Sequence, residues 1–266
     1  MTLAALPVAP AAALYLAVTI AGLLIGVAVN ALADRVWGVD APLRRAGDCA
    51  KCGAAPPASR YSPLLNVVPR RRACMRCGHV ASPRRPFVEV GLAILFPLLL
   101  ARVLDPGSQA RLAPWGVFLI DAAVATALAF IFAVDLEHRI ILDMSVYPVA
   151  AGLLLVALLF DHKALAGMLF GVVLCGGLFL LLYGVGWLLY RQEALGFGDV
   201  KLAALIGLAV GWPASVTALV LGSLLGAAAS MLLLGLGTAS RRTFIPFGIF
   251  LVAGAVLALL LTPPFW

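Results

Sequence analysis

Residues 114–139 read PWGVFLIDAAVATALAFIFAVDLEHR. Apart from Asp121, the first 21 of these residues carry no charged side chain, and the run stops at Asp135. A helix needs about 20 apolar residues to cross a bilayer. The stretch therefore predicts a transmembrane helix that ends close to Asp135, with an ionisable side chain at the membrane boundary.

Seven further apolar runs accompany this one, at about residues 11–33, 87–104, 144–160, 165–190, 200–211, 213–236 and 244–262. The chain is 64% hydrophobic and 12% charged, whereas soluble domains are about 45–50% apolar and about 25% charged. The runs are continuous rather than alternating, which argues against a transmembrane barrel. We predict an all-α polytopic membrane protein with about eight transmembrane helices. Because run 200–211 is short and Pro213 follows it, seven spans with a re-entrant segment is the alternative.

The basic residues are concentrated after the first apolar run. Of 19 Lys and Arg residues, 11 lie between Arg35 and Arg85, which by the positive-inside rule places residues 34–86 in the cytoplasm. Alternation then places 135–143, 191–199 and 237–243 on the same side. Attraction to anionic lipid headgroups is a second explanation of the basic block, and we expect no nucleic-acid partner.

The chain is therefore expected to have three parts. Residues 1–33 form a first transmembrane helix, 34–86 a cytoplasmic segment, and 87–266 a helical membrane core. No charged side chain precedes Asp34, so the first run lacks the basic start of a cleaved signal peptide and is interpreted as a retained helix. We predict a multi-pass membrane protein.

The cytoplasmic segment contains two CxxC pairs, formed by Cys49, Cys52, Cys74 and Cys77. Two such pairs are typical of a tetrahedral zinc site, and a closed four-thiolate site is structural rather than catalytic. Disulfides fit a reducing cytoplasm poorly. His79 is a lower-ranked ligand. A segment of this size buries little core, so a structural zinc ion would supply folding free energy.

Two aspartates fall on the predicted cytoplasmic face. Asp135 ends the third run, and Asp199 closes Gly196-Phe197-Gly198-Asp199 before the sixth. Two nearby carboxylates can divide general-base and general-acid work in peptide hydrolysis, so we predict an aspartyl protease with this catalytic pair. Helix capping by Asp199 and pairing of Asp135 with Arg139 are the structural alternatives.

The ordered motifs resemble those of the prepilin peptidase family, also called type IV leader peptidases. The resemblance rests on Gly26-x3-Asn30-x4-Arg35, the two CxxC pairs, Arg85-Pro86-Phe87-Val88-Glu89, the Asp135 region through Asp143, and Gly196-Phe197-Gly198-Asp199-Val200-Lys201-Leu202. The chain has Ile141-Leu142-Asp143 where the family usually has Leu-Pro-Asp.

The resemblance implies that Asp135 and Asp199 cleave pilin and type II secretion pseudopilin precursors. It implies cleavage after a glycine that follows a short basic leader, on the cytoplasmic side. Fuller members of the family also methylate the new N-terminus with S-adenosylmethionine; no residues are assigned to that donor. Glu89 and Glu193 are candidate acidic partners for a basic leader.

The competing hypothesis is a non-enzymatic protein or transporter whose aspartates are ion ligands or helix caps. Asp121, within an apolar run, is the residue that favours it most. A preflagellin or presenilin-like peptidase is a third interpretation, which the cysteine-bearing segment disfavours.

Overall fold

The computed structural model describes residues 8–36, 76–78, 84–107, 110–191, 195–237 and 246–266. These residues form eight helices: α1 (Val8–Val36), α2 (Arg84–Leu104), α3 (Pro114–His138), α4 (Asp143–Phe160), α5 (Ala164–Tyr190), α6 (Phe197–Val210), α7 (Ala214–Gly235) and α8 (Gly248–Leu261). Each predicted apolar run corresponds to one helix, and the described residues contain no strand. The all-α polytopic class is confirmed.

The predicted number of spans is confirmed only in part. Six helices, α1 to α5 and α7, are long and apolar enough to cross a membrane. Helices α6 and α8 have 14 residues each, which is shorter than a crossing requires. Nearly every residue of α6 from Val200 to Val210 is buried. A helix that is enclosed by protein is apolar on all sides, so its sequence is as hydrophobic as that of a transmembrane helix.

The chain divides into two compact units, residues Met1–Leu100 and Ala101–Trp266. In the first unit, α1 lies directly against the backbone of α2. A side chain at Gly26 would place its Cβ 2.6 Å from the Cα of Glu89, and one at Gly22 would lie 2.4 Å from the carbonyl oxygen of Leu92. Such contacts are possible only for glycine, and small residues allow this close packing in membrane helices.

Glycines also allow close helix–helix packing in the second unit. Gly171 of α5 and Gly207 of α6 are so close that a Cβ on either would lie 2.2 Å from the carbonyl oxygen of the other. A Cβ on Gly254 of α8 would meet the carbonyl oxygen of Ala218 in α7 at the same distance, and one on Gly222 would meet that of Phe250 at 2.9 Å. These seams hold α6 against α5 and α8 against α7. They therefore fix the positions from which the first turns of α6 and α8 begin.

Candidate active site at the ends of α3, α6 and α8

Asp135 lies in the last turn of α3. The helix ends at Arg139, whose φ of 57° is left-handed and whose N–H bonds the carbonyl oxygen of Asp135. A left-handed residue at this position is a common helix stop. The Asp135 side chain points into the protein, and only 4% of the residue is exposed. Burial of a carboxylate costs free energy unless a partner compensates it.

Asp199 lies in the first turn of α6. The N-cap of this helix is Gly196, and no side chain caps it within the described part of the chain. The proposed alternative of Asp199 as a helix cap is therefore wrong. Gly198 allows close packing, because a Cβ there would lie 3.1 Å from the Cβ of Ile141. Asp199 is half-buried.

The ends of α3 and α6 bring the two aspartates together. The carboxylates of Asp135 and Asp199 are close enough for their charges to interact. The fold thus places these two predicted residues, sixty-four positions apart in sequence, at one site. Two acidic groups at such a distance repel when both are ionised, which favours a state in which one of them keeps a proton.

The third wall of the site is the start of α8, which sequence reasoning missed. The carboxylate of Asp135 interacts with the backbone N–H of Ile249. Helix N-termini carry partial positive charge and free N–H groups, so this position stabilises an anion. A Cβ on Gly248 would lie 2.6 Å from Oδ2 of Asp135. The only sequence signal was a glycine at the start of the last apolar run.

Ile141 separates the helix starts around the aspartates. Its side chain lies against Gly198, and its Cδ1 would be 3.3 Å from a Cβ on Gly248. One apolar residue of the α3–α4 turn therefore contacts the first turns of both α6 and α8. The departure from the family pattern at residues 141–143 thus lies beside the aspartates.

Asp143 and Lys201 form an ion pair next to the site. Lys201 Nζ donates to Oδ1 of Asp143 and lies 5.1 Å from the ring centre of Phe197. The N-cap of α4 is Leu142, whose carbonyl oxygen accepts from Ser145 Oγ, so Asp143 is the first residue of the helix rather than its cap. The pair links the start of α4 to α6.

Asp121 has a partner of opposite charge. Its Oδ2 is 2.7 Å from Nη1 of Arg102, whose Nε also donates to the carbonyl oxygen of Thr262 at 3.0 Å. Because this buried acid is neutralised within the protein, the feature that most favoured the transporter hypothesis is explained by a structural ion pair.

The predicted zinc ligands lie largely outside the described residues. Cys49, Cys52 and Cys74 fall there, as does Glu193, and of the four thiols only Cys77 is described. The residues that the structure describes contain no group of three or more metal-binding side chains. The zinc site stays a prediction. The fifth cysteine, Cys175, is buried in α5.

Two family profiles match the chain. The type IV leader peptidase family matches residues 122–231, and the bacterial peptidase A24 N-terminal domain matches residues 20–103. The prepilin leader peptidase/N-methyltransferase of Aeromonas salmonicida is 33% identical over 217 residues, which cover 80% of this chain and 70% of that protein. This chain belongs to the type IV leader peptidase family.

Other members of the family show similar identity. The prepilin leader peptidase/N-methyltransferase of Myxococcus xanthus is 33% identical over 84% of this chain and 64% of its own length. That of Pseudomonas putida is 30% identical over 81% of this chain and 72% of its own. No solved structure gives a significant match. The predicted family is confirmed, and the leader peptidase match contains both Asp135 and Asp199.

Proposed function

We propose that this chain is a membrane aspartyl endopeptidase that removes the leader of type IV prepilins and type II secretion pseudopilins, and that it then methylates the new N-terminus. The observation that carries the proposal is the meeting of Asp135 and Asp199 at the ends of α3 and α6. Both residues lie within the match to the leader peptidase family.

The two carboxylates support hydrolysis without a covalent intermediate. One carboxylate takes a proton from water, and the resulting hydroxide forms a bond to the scissile carbonyl carbon. The other, protonated, carboxyl hydrogen-bonds to the carbonyl oxygen and then protonates the leaving nitrogen as the peptide C–N bond breaks. Because the two groups titrate as a pair, the two roles belong to the pair rather than to a fixed residue.

The charge pattern supports a location of this chemistry at the cytoplasmic face of the bacterial inner membrane. The segment 34–86 holds most of the Lys and Arg residues, and the ends of α3 and α6 fall on its side if the apolar runs alternate across the bilayer. We retain eight crossings in the proposal, with α6 and α8 as short crossings enclosed by the longer helices. A pilin-like precursor has a basic leader followed by an apolar helix, which suits a protease at this boundary.

Methyl transfer is supported by the names of the relatives, which combine both activities. The reaction requires S-adenosylmethionine as the methyl donor. Zinc held by the four cysteines would order the cytoplasmic segment. Replacing Cys49 and Cys74 with serine should remove the metal from purified protein, and unchanged zinc content would show that the assignment is wrong.

The peptidase activity is tested by co-expression with a pilin-like precursor. We expect Asp199→Asn to slow leader removal roughly 10²–10⁴-fold, because an amide neither takes nor gives the proton. Asp105→Asn, at an exposed carboxylate, is the matched control and should process at the normal rate. Normal processing by Asp199→Asn would exclude the paired-carboxylate mechanism.

A further inference from the structure

A second polar site lies within the first unit, on one face of α1. Gly22, Gly26 and Asn30 follow at intervals of four residues, so they share a face of the helix. The two glycines bring the backbone of α1 against α2. This approach holds Asn30 beside Glu89, and only 3% of Asn30 and 4% of Glu89 are exposed.

The orientation of the Asn30 amide is fixed by its hydrogen bonds. Its Nδ2 donates to the carbonyl oxygen of Arg85 and to Oε1 of Glu89, both at 3.1 Å. An amide nitrogen has two N–H groups, so both are used. The oxygen Oδ1 of Asn30 and the oxygen Oε2 of Glu89 remain, and neither has a hydrogen-bond partner in the described part of the chain.

Both nearby arginines pair with Asp34. Arg84 donates to Oδ1 of Asp34, and Nη2 of Arg85 is 2.6 Å from Oδ2 of Asp34. Arg85 attracts Glu89 only through its charge. Among the described residues, the site therefore holds two buried acceptor oxygens without a donor, and one of them belongs to a carboxylate. A primary ammonium has three N–H donors and no acceptor, and its bond to a carboxylate is strengthened by charge.

This site and the aspartate pair fall within different family matches. Asn30 and Glu89 lie within the N-terminal match, residues 20–103, whereas Asp135 and Asp199 lie within the leader peptidase match. Methylation of an N-terminus needs a group that holds the amine and a group that accepts its proton. Asn30 and Glu89 supply both from one unit.

We propose that Asn30 and Glu89 bind the α-ammonium of the trimmed substrate and that Glu89 accepts its proton before methyl transfer; this rests on the proposed function. The ammonium gives one proton to Oε2 of Glu89. The lone pair of the neutral amine then forms a bond to the methyl carbon of S-adenosylmethionine, and the C–S bond breaks to leave S-adenosylhomocysteine. Both oxygens lie below the surface.

The experiment uses the full chain in detergent with S-adenosylmethionine and two substrates, an intact precursor and a peptide that already begins at the mature N-terminus. Mass spectrometry counts leader removal and methylation separately. We expect Glu89→Gln to methylate both substrates about 100-fold more slowly, since the amide cannot accept the proton, and to slow leader removal much less. Asn30→Leu removes the second acceptor oxygen and should also slow methylation.

The controls separate this proposal from the general function. Asp105→Asn replaces an exposed carboxylate and should leave both activities intact. Normal methylation by Glu89→Gln overturns the proposal, and so does an equal loss of both activities, which would indicate folding or binding of the basic leader. Normal methylation of the trimmed peptide with lost cleavage would place a leader cation at Glu89 instead. Wild-type protein that removes no leader from any precursor would contradict the proposed function itself.

Discussion

Helix α3 carries a buried aspartate near each end, and the two have opposite surroundings. Asp121 is 2.7 Å from a guanidinium nitrogen of Arg102. Asp135, fourteen residues later, lies beside a second carboxylate and the N-terminus of α8, and the charge of Arg139, one turn further on, also acts on it. In sequence, both appear alike as acids at or within an apolar run.

The difference shows how to separate structural from functional charge in a membrane protein. A buried acid beside a cation is compensated, and its removal leaves the cation without its partner. A buried acid beside another acid is not compensated by its neighbour, and such an arrangement is retained where proton transfer requires it. The charge of the group next to a buried carboxylate therefore indicates its role better than its position within an apolar run does.

The largest expected effect is at the end of α3 that faces Asp199. Asp135→Asn should reduce leader removal by roughly 10²–10⁴-fold because one proton-transfer group is lost. The isosteric amide should leave the folded yield and unfolding temperature near those of the wild type. Leader removal is measured by gel shift of a co-expressed precursor. An active Asp135→Asn variant would contradict a catalytic role for Asp135.

The opposite pattern is expected at Asp121. Asp121→Asn leaves the charge of Arg102 uncompensated and should reduce the free energy of unfolding by about 3–5 kcal/mol, while each folded molecule still cleaves at the normal rate. Unfolding in detergent against denaturant checks this result. The double variant Arg102→Met, Asp121→Leu is the control and should recover most of the stability. A catalytic defect without instability would instead place Asp121 in the chemistry.

A substitution at Gly248 tests whether the position of the Asp135 carboxylate matters, because it changes no charge. A Cβ there would lie 2.6 Å from Oδ2 of Asp135. Gly248→Ala should therefore displace the acid and lower the cleavage rate by about 100-fold, the usual cost of a misplacement near 1 Å. Gly177→Ala is the matched control, since nothing lies within 4 Å of its Cβ position. Equal rates for the two variants would exclude α8 from the site.

Much of this arrangement could be predicted from local sequence. Apolar length located every helix within a few residues, and counting Arg and Lys placed the ends of α3 and α6 on one side. The motif order around Asp135 and Asp199 then pointed to the pair that the fold brings together. These signals are contiguous in the chain or depend on charge alone.

Other features depend on tertiary contacts that no local pattern contains. The approach of Gly248 to Asp135 joins residues more than a hundred positions apart. The pairing of Lys201 with Asp143, rather than with Asp199 two residues away, is set by how α4 meets α6. The enclosure of α6 explains why it can be shorter than a span. Hydropathy detects the apolar side chains, but it does not show whether lipid or protein surrounds them.

The apolar side chain of Ile141 acts as a spacer between two helices of the site. Its side chain fills the space between the first turns of α6 and α8, against Gly198 and Gly248. Contact between apolar atoms is a matter of volume, so ionic strength does not screen it as it screens exposed charges. The spacing of the first turns of α6 and α8 at Ile141 should therefore not change with salt concentration. An inhibitor that binds beside Ile141 can therefore be designed for one fixed spacing of these helix starts.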